Sequence, residues 1–515
     1  MSQPSFFSSG AIRIAALLLL FISAFAIRMY DLTDLPLDFH PTRQLLSATK
    51  ARAMYYRTKP AGISAEQREI GIRQAKLKAD VEPDILERLV AFTYQYTGEQ
   101  LWVARIYSSL FWLTGGIFLF LLVRDVVSFD AAIFSTAYYL IFPHAIIASR
   151  SFQPDPLMVM FILAFWWMFS RWVDLTSNPF AQHPTGAPKR RGEQWINTVL
   201  AGLIGGVAIY VKFPAAFFVI GGALGLVFSR FTLLELLRKS QVWTLAILGV
   251  LPGSIYLARG LAQGGLGSQL SGRFVPALLL RPLNYLGWMT KVDLAAGGIF
   301  VMLALFGFFL STDKRLRTFM LGLWGTYLVY SLFFDYHSAT HDYYQLPLIP
   351  IVAVSLSPIG GWFFARLAEA TVQRYQRTAA YLILIIGLFM VIWNVRNQMK
   401  AVEYRPEAAM WAQIAQEIRD QSVVGLIQDY GARLEYWGWR TIPTWPYTGD
   451  FAAMSNRNAH FSFDKVFDDY AARKDFFLVT DFQELNDQPQ LKARLASFPV
   501  YMEGDGYKIY DLRNR

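Results

Sequence analysis

Eleven apolar runs of close to twenty residues recur along this chain of 515 residues, and they constrain its fold more than any other feature. They lie at 11–27, 101–123, 129–147, 156–172, 196–211, 213–229, 241–258, 292–311, 318–334, 346–366 and 379–393. About 20 residues at a helical rise cross the hydrocarbon core of a bilayer, so each run predicts a membrane-spanning helix. Composition agrees. Only 17% of residues are charged, against about a quarter in soluble domains. Aromatics reach 16%, as expected where apolar surface faces lipid. A water-soluble multidomain enzyme is therefore excluded. The absence of cysteine excludes disulfides, thiol nucleophiles, iron–sulfur clusters and Cys-ligated zinc. The expected fold class is a polytopic α-helical membrane protein of about 11 transmembrane helices.

The first run carries a single basic residue, Arg13, and is followed by Ile27-Arg28-Met29-Tyr30, a poor signal-peptidase site. It is expected to stay as an anchor. If its N-terminal side is cytoplasmic, the inside loops hold Arg124, Lys189-Arg190-Arg191, Arg238-Lys239, Lys314-Arg315-Arg317 and the stretch from Arg366 to Arg377. Each is basic, as the positive-inside rule requires. The formal net charge of +10 is thus read as cytoplasmic-loop excess and not as a nucleic-acid footprint. A bacterial inner membrane is the expected location.

Two outer segments are long. Residues 28–100 are polar, and Leu86-Glu87-Arg88-Leu89-Val90 predicts an amphipathic helix on the membrane surface. Residues 394–515 lose the long apolar runs and carry 15 Lys and Arg against 17 Asp and Glu. Val423–Asp429, Phe476–Thr480 and Tyr507–Leu512 read as strands there, and Arg405–Ile418 and Gln490–Ala496 as helices. The expected division is a transmembrane domain over 1–393, including the loop 28–100, and a small extracytoplasmic α/β domain over 394–515. No internal repeat, Walker loop or dinucleotide fingerprint occurs, which argues against an ATP-driven transporter.

Ionisable groups gather in three outer turns: Asp31 through Arg43, Ser149 through Pro156, and Asp335 through Gln345. Charges at a membrane surface are costly unless they serve something. Several motifs in these turns resemble those of the C-type membrane glycosyltransferases, among them the protein O-mannosyltransferases and the aminoarabinose transferases that modify lipid A. The matching stretches are Arg105-Ile-Tyr-Ser-Ser109, Ser149-Arg150 followed by Pro154-Asp155, Lys212-Phe213-Pro214, and His341-Asp342-Tyr343-Tyr344-Gln345 running into Pro347 and Pro350. The resemblance covers roughly residues 11–365. It implies a polyprenyl-phosphate sugar donor and transfer of one sugar to a glycan, lipid or protein hydroxyl outside the cytoplasm. One departure stands out. Many relatives read Pro-Asp-Glu in the first loop, where this chain has Pro41-Thr42-Arg43.

The chemistry needs a base for the attacking hydroxyl, a carboxylate to stabilise an oxocarbenium-like transition state, and cations for the phosphate leaving group. Asp38 is the expected base with His40 as runner-up, and Asp155 is the second catalytic carboxylate. Lys212, Arg150, Arg273 and Arg281 are expected at the donor phosphate, with Lys291 a further candidate. Arg150 has an alternative partner in Asp155, which would make the turn rigid. His341, Tyr343, Tyr344 and Gln345 are expected to contact substrate. His337 and His341, with Asp155 or His40, form an alternative divalent-metal site; no other cofactor is expected. Trp437, Trp439 and Trp445 read as core aromatics. The competing function is a lipid or polysaccharide transporter or flippase without glycosyl transfer, which would place charges and broken helices at mid-membrane depth in repeated halves.

Overall fold

The computed structural model describes residues 5–78, 82–177, 191–262, 274–369, 372–456 and 462–513. Two compact units emerge. One joins 1–33, 79–86 and 102–402; the other joins 34–78, 87–101 and 403–515.

The first unit is helical. Among the described residues, seven helices are long and apolar enough to cross a membrane: α1 (Gly10–Met29), the helix Trp102–Val126, Asp155–Ser177, Gly192–Val211, Ser240–Ala262, the run Asp342–Ala368, and Arg374–Met399. Two shorter apolar helices, Phe129–Ile141 and Ala215–Val227, fall on two further predicted spans, and Lys314–Phe333 on another. Burial is uneven. Asp155–Ser177 is enclosed over most of its length, whereas Arg374–Met399 buries only Val395 and Met399 and leaves its apolar surface outward, as a lipid-facing helix must. Close helix approach uses small residues: a Cβ on Gly206 would collide with the Leu248 carbonyl of Ser240–Ala262.

Two predicted spans leave helical backbone geometry within their length. The run 129–147 breaks at Phe142, whose φ of −55° and ψ of 131° leave the helix immediately before Pro143. Proline disfavours the α conformation in the residue preceding it. The run 292–311 turns by 87° between Pro282–Ala296 and Gly298–Leu310. Gly297 sits at the corner with φ 73°, a region that costs glycine little.

The second unit contains a four-stranded sheet in the order β1-β2-β4-β3, with β1 Val423–Leu426, β2 Phe476–Val479, β3 Val500–Gly504 and β4 Tyr507–Asp511. β1 and β2 pair in parallel, with Val423 opposite Phe476; β4 runs antiparallel to both β2 and β3. Three strands and the helices Glu407–Glu417 and Pro489–Ala496 match the sequence reading to within a few residues. β3 was not expected. Its Val500 and Tyr501 are about half exposed on the sheet edge, so no apolar alternation marks it. Apolar clusters cover both sheet faces, and Trp445 is wholly buried in one of them, as its core reading requires.

The unit boundaries differ from the expected division at 394. Much of the first loop packs with the tail. α2 (Pro41–Tyr56) and α3 (Ala65–Lys76) bond directly to the helix Ala432–Gly438. Arg52 donates to the Tyr436 carbonyl at 2.7 Å and to Glu99 at 2.7 Å. Gln74 donates to the Glu435 carbonyl at 3.0 Å, and Lys78 pairs with the Glu435 carboxylate at 2.7 Å. α4 (Ile85–Thr97) joins them through a Ser47–Glu87 hydrogen bond of 2.7 Å.

Candidate functional site

The helix Asp155–Ser177 begins with Asp155 in its first turn, just after Pro154. The tight turn Lys212-Phe213-Pro214 separates two apolar helices and brings Lys212 to the same place. Lys212 Nζ donates to both Asp155 carboxylate oxygens, at 2.8 and 2.9 Å. Both side chains are almost fully buried, which an ion pair can sustain only with good geometry and further partners. Those partners are present. The rings of Tyr343 and Tyr344 lie 5.1 and 5.6 Å from Nζ, and Glu82 approaches it at 3.8 Å. Residues 82, 155, 212, 343 and 344, far apart in sequence, thus meet at one ammonium group.

Lys212 and Glu82 also line a cavity of about 310 Å³. Its walls are otherwise mostly apolar, with Ile209, Phe213, Leu257, Phe274 and Phe333 among them. Small-molecule sites commonly combine apolar walls with a few convergent polar groups. This one places the Glu82 carboxylate and the Lys212 ammonium, itself held by Asp155, in an otherwise mostly apolar wall.

The other sequence candidates divide. Arg150 is buried and donates to the Tyr30 carbonyl at 2.8 Å and the Asp31 carbonyl at 3.2 Å. Arg105 donates to the same Asp31 carbonyl at 3.1 Å. Arg150 therefore braces the chain leaving α1. Its proposed partner, Asp155, is held by Lys212. Gln345 was expected to contact substrate, but it is wholly buried, accepting from the Tyr327 hydroxyl at 2.6 Å and donating to the Ser338 carbonyl at 2.9 Å. Its amide fixes the turn from inside. Tyr343 and Tyr344 are buried too, packed against Lys212 and not laid open as a sugar platform.

His337 and His341 lie with ring centroids 5.4 Å apart, and His341 Nδ1 meets the Thr340 hydroxyl at 2.7 Å. Among the described residues, no three His, Asp or Glu side chains group as a metal would require. Asp335 accepts from the Val275 and Tyr336 amides, and burial raises its carboxyl above the usual range despite those bonds. Arg281 is exposed at the start of the helix Pro282–Ala296, which also carries Lys291. Arg273 lies outside the described residues.

Asp38 and His40 belong to the second unit. His40 has φ 46° and ψ 65° directly before Pro41, a strained conformation for a residue with a side chain. Asp34 accepts from the Tyr404 amide at 3.1 Å, and Asp38 is close enough to Tyr404 to raise its phenol, after burial, which contributes most. Glu82 was missed by the sequence reading. The signal available was the acidic stretch Asp80-Val81-Glu82-Pro83-Asp84 inside the first loop.

Comparison with known proteins adds the following. The family model for dolichyl-phosphate-mannose-protein mannosyltransferase matches residues 85–256. No curated protein matches. Among solved structures, ArnT from Cupriavidus metallidurans in the apo state is similar with a TM-score of 0.54 and 16% identity, over 96% of this chain and 98% of that one. The same protein bound to undecaprenyl phosphate gives 0.52 and 16%, over 97% of each chain. The archaeal oligosaccharyltransferase AglB from Archaeoglobus fulgidus, in complex with an inhibitory peptide and a dolichol-phosphate, gives 0.56 and 10%, over 97% of this chain and 74% of that one. The chain therefore has the fold of the C-type membrane glycosyltransferases, and it is a multi-pass membrane protein.

Proposed function

We propose that the chain is a glycosyltransferase that moves one sugar from a polyprenyl-phosphate donor to an acceptor hydroxyl on the extracytoplasmic face of the membrane. The observation that carries this reading is the Lys212–Asp155–Glu82 cluster beside an apolar cavity. Glycosyl transfer in general is supported by the matching family model and the shared fold. A polyprenyl-phosphate donor is supported by the undecaprenyl phosphate and dolichol-phosphate bound to the similar structures.

In the proposed reaction the acceptor oxygen bonds to the anomeric carbon as the bond from that carbon to the phosphate oxygen breaks. The bonding electron pair leaves with polyprenyl phosphate, which is already a stable anion and needs no acid. The hydroxyl proton passes to a carboxylate within hydrogen-bond reach. Glu82 takes this role because it lines the cavity, whereas both Asp155 oxygens are engaged by Lys212. Asp38 is the second reading, supported by its position just before the strained His40. Asp155 faces the positive charge that develops on the sugar ring. Lys212 has three N–H donors; two serve Asp155, and the third can meet a donor phosphate oxygen. The apolar walls hold the first isoprene units.

The test is incubation of the purified protein with a panel of labelled undecaprenyl- and dolichyl-phosphate sugars. Release of free polyprenyl phosphate from one of them is expected, and release from none sinks the proposal. Sidedness is checked separately, exploiting the absence of native cysteine. Single cysteines at 70, 340 and 450 should react with an impermeant thiol reagent in intact cells, and one at 314 should not.

A further inference from the structure

Away from the charged cavity, the second unit has a cationic groove that glycosyl transfer does not use. It lies between α2 and α4, encloses about 330 Å³, and is lined by Met54, Arg57, Arg88, Ala91, Phe92 and Gln95. The two helices are held together by the Ser47–Glu87 hydrogen bond and by Tyr55 and Tyr94, whose rings meet at 5.8 Å. Arg57 caps the end of α2, and Arg88 stands in the first turn of α4. Both guanidinium groups are exposed, and among the described residues neither has an ion-pair partner.

Next to these charges α4 exposes an apolar stripe. Leu89, Phe92 and Tyr96 are 37%, 56% and 76% exposed, while Leu86, Val90, Ala91 and Tyr94 are buried on the other side. Spacings of three and four residues align the stripe along one helical face. Chain continuity bounds its distance from the next helix. α4 ends at Thr97 and the membrane-spanning helix begins at Trp102, so the five intervening steps reach at most about 18 Å. An exposed aromatic edge beside Arg57 and Arg88, this close in sequence to a membrane-spanning helix, has the composition of an interfacial element.

We propose that the α2–α4 groove binds the phosphate headgroup of an anionic phospholipid, with Arg57 and Arg88 on the phosphate and Phe92 and Tyr96 against the acyl boundary. Two guanidinium groups suit a phosphate, which accepts paired N–H donors. The adjoining apolar stripe selects an amphiphile over a soluble anion, because free phosphate leaves that stripe in water.

The full chain can be tested in nanodiscs of phosphatidylcholine containing phosphatidylglycerol. A polarity-sensitive fluorophore on Tyr96→Cys reports contact with doxyl-labelled lipids. Doxyl-phosphatidylglycerol is expected to quench it at about tenfold lower fraction than doxyl-phosphatidylcholine, since each basic residue near an anionic surface shifts partition several-fold. Arg57→Gln with Arg88→Gln should erase that preference while an unchanged melting temperature shows that the unit stays folded. Arg57→Lys with Arg88→Lys should keep part of it. Equal quenching by both lipids, or a preference that survives the double Gln variant, overturns the proposal. Displacement by inorganic phosphate overturns it as well, by assigning the groove to a soluble anion.

Discussion

Lys212–Asp155 in the helical unit and Arg52–Glu99 in the sheet-containing unit are both buried ion pairs with contacts of 2.8 and 2.7 Å. Their surroundings differ. Glu99 also accepts from the Tyr56 and Tyr436 hydroxyls, and the Arg52 guanidinium lies 3.6 Å over the Tyr436 ring and 4.3 Å over that of Trp439. Burial and Glu99 together push the Tyr56 phenol above its usual range, so it remains a donor. The Lys212 pair instead borders a cavity and shares its ammonium with a second carboxylate. A pair closed off by its own protein partners fixes shape, whereas a pair that opens on a cavity keeps interaction capacity for something that enters. The same chemistry serves packing in one unit and is available for recognition in the other.

The sharpest way to break this contrast is to replace each pair by apolar residues. Lys212→Met with Asp155→Leu should fold, since apolar substitution of a whole buried pair is often neutral, yet transfer should fall at least about 10³-fold. Residual turnover near wild type would make the pair structural, like Arg52–Glu99. Lys212→Ala alone should weaken donor affinity more than acceptor affinity; equal losses would point the same way.

Next in size, Glu82→Gln should lower kcat by roughly 10²–10⁴-fold with donor binding retained, because the amide keeps shape and loses basicity. Asp38→Asn, measured alongside, separates the two carboxylates. If Asp38→Asn abolishes turnover and Glu82→Gln does not, the base lies in the second unit. On the structural side of the comparison, Glu99→Ala should cost about 3 kcal/mol in thermal unfolding by stranding Arg52, with kcat of the folded fraction unchanged. A loss of kcat without loss of stability would erase the distinction. The smallest effect is expected from Tyr343→Leu. Removing one ring from Lys212 forfeits about 0.5–2 kcal/mol, visible as a few-fold to roughly thirty-fold rise in donor Kd.

The sequence made the helical layout readable because a bilayer demands long apolar runs, and the predicted runs overlap apolar helices, seven of them long enough to cross a membrane among the described residues. It hid the break at Phe142 and the corner at Gly297, since hydropathy averages over single residues that end a helix. The sequence placed Asp155, Lys212 and the Tyr343–Tyr344 turn in separate loops, and their meeting at one ammonium group is visible only in the fold. Glu82 did not stand out, because its acidic stretch matches no motif, whereas the loop around His40-Pro41, about forty residues earlier, does. The joining of the first loop to the tail was invisible for a different reason. It rests on contacts such as Arg52–Tyr436, nearly four hundred residues apart, and neither partner has a local pattern that announces the other.

The fastening of α1 has a consequence in time. Arg28 is fully buried and donates to the Ala24 carbonyl at 2.9 Å, the Ser149 hydroxyl at 2.8 Å and the Leu140 carbonyl at 3.0 Å, while Arg150 and Arg105 grip the carbonyls just beyond it. Two of these attachments do not exist until residue 150 has left the ribosome. At ordinary elongation rates that is a wait of about 6–24 s after α1 is made. Throughout it, α1 carries an arginine near the lipid boundary whose more distant partners have yet to be synthesised, a state that costs a few kcal/mol near the bilayer centre and less toward the interface. The fastening of α1 is therefore completed only after the turn at Ser149–Arg150 has been made.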